Sequence, residues 1–114
     1  MIKTKRIYES KAPSPGDGKR ILIDRLWPRG LKKEDVVVDV WLKELSPSNE
    51  LRKWFGHDPA KWQEFKRRYT QELREKEEIV DGLRKESKQG TVTLLYSAKD
   101  NEHNNAVALK EFLG

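Results

Sequence analysis

The sequence predicts an α/β fold: a single small layered domain over residues 1–114, with a mainly parallel sheet of about four strands flanked by helices. Three observations lead there. Short apolar, β-branched runs alternate along the chain with longer segments of helical period. The run Val92-Thr93-Leu94-Leu95-Tyr96 lacks the polar alternation of a half-solvated strand, so it reads as the centre of a sheet covered on both faces. The run Arg20-Ile21-Leu22-Ile23 leads straight into Asp24-Arg25-Leu26-Trp27-Pro28-Arg29-Gly30, where open α/β sheets place their ligands.

Element by element, Thr4 to Glu9 reads as the first strand, with Ile7 and Tyr8 apolar. Ser10 to Gly18 carries Pro13, Pro15 and Gly16-Asp17-Gly18, and is a loop. Arg20 to Asp24 is the second strand. The connection between the two is too short for a helical crossover, so they are either antiparallel or not direct neighbours. Leu31 to Asp35 allows one helical turn, and Val36 to Trp41 a third strand or an extended edge segment. Ser46-Pro47 starts a helix, as a serine cap followed by proline at the first helical position, and Gly56 stops it. Asp58-Pro59 repeats the start signal and opens the longest helix, Ala60 to Lys88. Its buried stripe is Trp62, Phe65, Tyr69, Leu73, Ile79, Val80 and Leu83. Gly90 is a stop, Thr91 to Tyr96 the central strand, and Ser97 to Asn101 a strand-to-helix loop. Glu102 to Leu113 is the last helix, with Ala106, Val107, Leu109 and Leu113 turned inward.

Composition narrows the chemistry. The chain has 114 residues and no cysteine, which excludes disulfides, thiolate metal sites and a cysteine nucleophile. It carries no apolar segment near the ~20 residues of a membrane span and no signal-peptide pattern, so the expectation is a cytoplasmic protein without membrane partners. The net charge of +5 favours anionic partners, but 38% of the residues are charged, in both signs. Two distant histidines with no flanking ligand pattern make no metal site, and no nucleotide fingerprint is present. No cofactor is expected.

Three clusters could carry chemistry. In the first, Asp24, Arg25, Trp27 and Arg29 admit two readings. Either Asp24 and an arginine form a structural ion pair, or Arg25 and Arg29 clamp a phosphate or carboxylate with their planar forks against an apolar wall at Trp27. In the second, Tyr96, Ser97, Lys99, His103, Asn104 and Asn105 crowd hydrogen-bonding groups around a helix start, a natural anion site. Capping by Asp100 or Asn101 is the plainer account; the functional one makes Tyr96 and His103 acid–base groups and Ser97 and Asn104 ligand contacts. The third cluster is Trp54-Phe55-Gly56-His57-Asp58-Pro59, a corner that holds His57 within its turn or sets it at a pocket rim. Lys61, Lys66, Arg67 and Arg68 also form a basic run, but Glu64, Glu72 and Glu75 are interleaved with it.

Together these blocks resemble the YeaO-like branch of the domain-of-unknown-function family 488. The resemblance rests on Asp24 to Gly30, on Trp54 to Pro59, and on Leu94 to Asp100 followed by Glu102-His103-Asn104. It implies an intracellular, single-domain α/β protein. Broader members of that family carry a cysteine near the end of the last strand and a Cys-His-Arg run at the following helix start; the matching positions here are Tyr96 and Asn104-Asn105-Ala106. The thiol chemistry of those relatives therefore has no counterpart in this chain.

The functional expectation is a pocket for a small anionic ligand at the carboxyl ends of the strands, where the loops after strand two and after the last strand meet. Its rivals are a nucleic-acid module using the basic helix face, with weak non-specific binding, and a protein-interaction module anchored on exposed tryptophans.

Overall fold

A computed structural model describes residues 1–114. Four strands, β1 (Ile2–Arg6), β2 (Lys19–Leu22), β3 (Val40–Trp41) and β4 (Val92–Tyr96), form one sheet in the order β1-β4-β2-β3. Every neighbouring pair is parallel. Four α-helices follow the chain as α1 (Asn49–Phe55), α2 (Trp62–Arg74), α3 (Glu77–Gln89) and α4 (Asn105–Leu113).

β4 is buried at all five positions and lies between β1 and β2, as its unbroken apolar run requires. It thereby separates the first two strands, which explains how a short loop can join them: they run parallel but never pair. β1 is displaced from its expected place. It ends at Arg6, opposite Tyr96, and Ile7–Glu9 folds into a 3₁₀ turn. That turn puts the fully buried Ile7 beneath the sheet with Leu22, Leu31, Val36 and Leu95. β3 shrinks to two residues, because Val36 leaves the strand path to join the same cluster.

The expected long helix is two. An uninterrupted helix from Ala60 to Lys88 would be about 43 Å long, whereas the greatest extent of the molecule is 35 Å. The chain leaves helical geometry at Lys76, and Gly82 sits inside α3 rather than at the break. α3 then runs beside the end of α4, where the Arg84 guanidinium bonds the Phe112 and Leu113 carbonyls. α1 begins later than the sequence indicated. Ser48 is the cap, accepting from the Leu51 N–H at 3.1 Å, and Gly56 closes the helix in the left-handed region at φ 53°.

The two faces of the sheet differ. Val92, Leu94, Tyr96, Ile21 and Ile23 point into a core to which every helix contributes. Leu22 and Leu95 point the other way, into a cluster with no member from an α-helix, roofed by the segments around Tyr8, Trp27 and Val38. The helices therefore do not flank the sheet on both sides. On the helix-free side Arg20 and Asp17 are each 1% exposed and bonded to one another at 2.6 Å. They pin the Ser10–Gly18 loop across the sheet, helped by Thr93, whose hydroxyl donates to the Asp17 carbonyl.

Candidate functional site

The loops after β2 and after β4 meet at the carboxyl end of the sheet. Asp24 joins them. One carboxylate oxygen accepts from the Ser97 N–H at 2.9 Å and the other from the Asn105 amide at 3.1 Å. Asn105 also donates to the Ile23 carbonyl. Burial pushes the Asp24 carboxyl up, against the pull of these bonds. The Trp41 indole N–H closes the same corner by donating to the Asp24 carbonyl at 2.7 Å.

This arrangement leaves the arginines free of Asp24. The side chains of Arg25 and Arg29 are exposed, and neither forms a hydrogen bond or an ion pair. Arg29 is held by its backbone, whose carbonyl accepts from the Tyr8 hydroxyl at 2.6 Å. Trp27 is half-buried; it donates to the Leu31 carbonyl and meets Trp41 edge-on, with ring centres 5.4 Å apart. Arg25 lines an open recess of about 600 Å³ together with Lys43, Ser46, Ser48 and Lys76 and the acidic Glu44, Glu72 and Glu75. Tyr96, His57, His103 and Asn104 do not line it. The guanidinium of Arg25 is thus turned toward the β3–α1 connection rather than toward the loop after β4.

That second loop is longer than expected, because α4 begins at Asn105 and not at Glu102. Asn104 is its cap. Its side-chain oxygen accepts from the Val107 N–H at 3.0 Å and its amide donates to the Asp100 carbonyl at 2.9 Å, so this 2%-exposed side chain is spent locally. His103 precedes the cap. Its Nδ1 lies 2.9 Å from an Asp100 carboxylate oxygen, and its ring meets Trp62 edge-on at 5.3 Å. The Glu102 N–H and the His103 ring hold the Asp100 carboxyl below its usual range. Tyr96 is 3% exposed; burial pushes its phenol up and the Glu9 charge adds to the effect, so it is neutral at physiological pH. Ser97 spends its N–H on Asp24 and its carbonyl on Arg6. His57 is exposed at φ 58°, directly after Gly56 at φ 53°. It is the one non-glycine residue in the left-handed region, where histidine is better tolerated than most side chains.

Arg6 was not foreseen. It donates to the Ser97 and Ala98 carbonyls and lies over the Tyr8 ring at 4.8 Å. Its role follows from the β1–β4 register, which sets Arg6 opposite Tyr96, a pairing that neighbouring strands in the sequence do not reveal. Every buried side-chain nitrogen and oxygen has a partner, so no buried group at this rim awaits one.

The basic helix run is largely neutralised. Glu64 takes both Arg67 and Arg68 at 2.7 Å, and these guanidiniums, Arg67 first, hold its carboxyl down at about 2. Lys66 pairs with Glu111 at 3.1 Å, and Arg68 and Lys61 cover Trp54.

Comparison with known proteins gives a consistent result. A family model described as the inactive DUF488-N3 subclade matches residues 1–114. The uncharacterized protein YeaO of Escherichia coli strain K12 is 44% identical over 112 residues, covering 98% of this chain and 96% of that protein. The uncharacterized protein Rv3073c of Mycobacterium tuberculosis is 36% identical over 112 residues, covering 98% and 92%. No solved structure matches.

Proposed function

The chain belongs to the inactive DUF488-N3 subclade, and from that membership we propose that it is a binding domain for a small phosphate- or carboxylate-bearing ligand, held at the carboxyl-end rim of the sheet and not turned over there. One observation carries the reading. Asp24, the natural partner for a neighbouring arginine, is committed to Ser97 and Asn105, while the Arg25 and Arg29 guanidiniums are exposed and bonded to no carboxylate, although Glu44, Glu72 and Glu75 share the recess that Arg25 lines. Such guanidinium groups favour carboxylates and phosphates, whose oxygens their planar forks bond two-fold.

The absence of turnover is supported by the side chains at the rim. No cysteine is present, Tyr96 is neutral and buried, and Asn104 is a cap. His103 with Asp100 remains the group best placed to hold or move a proton. The nucleic-acid reading through α2 is less favoured, since Glu64 and Glu111 occupy the cations it would need.

Calorimetric titration with inorganic phosphate and with a small dicarboxylate tests the proposal. Binding to the parent protein, lost in Arg25→Ala or Arg29→Ala with unchanged melting temperature, is the expected result. No heat with the parent protein at millimolar ligand, or a fall in stability in both variants, overturns it.

A further inference from the structure

On the helix-free face two lysines without an ion pair lie beside two indoles. The Lys43 ammonium lies over the Trp41 ring at 4.0 Å, and Lys33 is 6.0 Å from the centre of Trp27. Trp27 and Trp41 touch edge-on, so ammonium, indole, indole and ammonium form one continuous row. Arg25 and Arg29 bracket Trp27 in the chain, and neither lysine forms an ion pair. Both indoles are half-buried, with their N–H groups donated inward to Leu31 and Asp24, which fixes the rings while part of each remains exposed. A cation resting on an indole is a weak arrangement at a wet surface, and an anion that pairs with the cation from outside does not have to break it.

We propose that this row recognises a phosphate attached to a planar base, the unit of a nucleotide, either free or within a single strand. The inference rests on the proposed anion site at Arg25 and Arg29 and adds the chemical class of its ligand. The base stacks on the exposed part of Trp27, whose nearest lysine is 6.0 Å from the ring centre, and the phosphate is taken by Arg29, Lys33 or Lys43. Stacking asks nothing of base identity, so recognition is sequence-tolerant. Duplex DNA hides its base faces and gains only the charge attraction.

The test follows intrinsic tryptophan fluorescence of the full chain during titration with ribose 5-phosphate, adenosine monophosphate, an oligothymidylate of eight nucleotides and a duplex of the same length. The expected result is that the base-bearing ligands bind at least about tenfold more tightly than ribose 5-phosphate and quench the emission. Trp27→Phe should then remove part of the quenching. Lys33→Ala and Lys43→Ala, both surface changes, should each flatten the salt dependence of oligothymidylate binding by roughly 0.7 in logarithmic slope. Tighter binding of the oligomer than of the mononucleotide assigns the ligand to a single strand, and equal binding per site to a free nucleotide. If ribose 5-phosphate binds as well as the nucleotide, or duplex as well as single strand, the base has no role; the inference falls and the anion site stands. If nothing binds, both fall.

Discussion

Removing the carboxylate of Asp17 exposes how much of this fold depends on one buried ion pair. Asp17 and Arg20 are each 1% exposed, and the guanidinium bonds Asp17 at 2.6 Å, the Val37 carbonyl at 2.8 Å and the Ser10 carbonyl. Asp17 also takes Lys5 and the Ser14 N–H. In Asp17→Ala the Lys5 ammonium, 30% exposed, can turn to water, but the Arg20 charge cannot. Stranding one member of a buried pair costs about 3–5 kcal/mol. With a urea slope of about 2 kcal/mol per molar for a chain of this size, the unfolding midpoint should fall by roughly 2 M. Adding Arg20→Met to Asp17→Ala should cost less than the sum of the two single changes, because the stranded charge is gone. The pair also sets a direction with pH. Lys5 first, then the Ser14 N–H and Arg20, hold the Asp17 carboxyl far below its usual range, and burial opposes them. The carboxyl is ionised in both folded and unfolded chains at neutral pH, so its contribution is whole there. Stability is lost as the pH drops below about 4, where the unfolded chain takes up the proton and the folded chain resists it. A loss under about 1 kcal/mol in Asp17→Ala, or strict additivity in the double variant, would mean that Arg20 is not stranded by the change.

Other consequences are as direct. Leu94→Ala, at a fully buried position of the central strand, should cost about 2–5 kcal/mol by urea unfolding; a value near zero would remove that residue from the core. Gly18→Ala should cost more than about 2 kcal/mol: φ is +61° and the new Cβ would lie 1.9 Å from the Thr91 carbonyl oxygen, beside the Lys19–Thr91 bond that starts β2. Wild-type stability of that variant would mean the loop does not approach β4 this closely. Asp24→Ala should raise amide exchange at Ser97 and neighbouring residues, since their link to the β2 loop is the carboxylate itself; unchanged exchange would show that the loops are held together by other contacts.

The sequence made some of this legible and hid the rest for identifiable reasons. The central strand, the Gly56 stop and the Trp62–Leu73 stripe were readable because each depends on local pattern: unbroken apolarity, a left-handed cap and a helical period. The break at Lys76 was not, because the apolar pattern continues through it on both sides. Nor was the helix-free face. Ile7, Leu22 and Leu95 look like any strand hydrophobics, and what covers them is loop. The burial of Arg20, among the most buried side chains in the molecule, is not legible either, because its partner Asp17 sits in a proline- and glycine-rich loop that resembles a solvated turn. At the rim, the meeting of the two loops was expected from parallel strands alone, and Asp24 provides the link. The orientation of Arg25 toward Lys43 and Ser46 depends on how the β3–α1 connection folds, which no local pattern encodes.

The proposed oxyanion site lies at the β2 loop, on the carboxyl-end rim of the sheet. The most direct measurement is a two-dimensional ¹H–¹⁵N spectrum of the protein recorded through a titration with inorganic phosphate at low, constant ionic strength. The expected result is saturable shifts at the backbone amides of Arg25, Leu26, Trp27, Arg29 and Gly30, with smaller ones passed through the Asp24 link to Ser97 and Asn105. Shifts confined to Lys66, Arg67 and Arg74 on α2, or a spectrum that does not move, would contradict it.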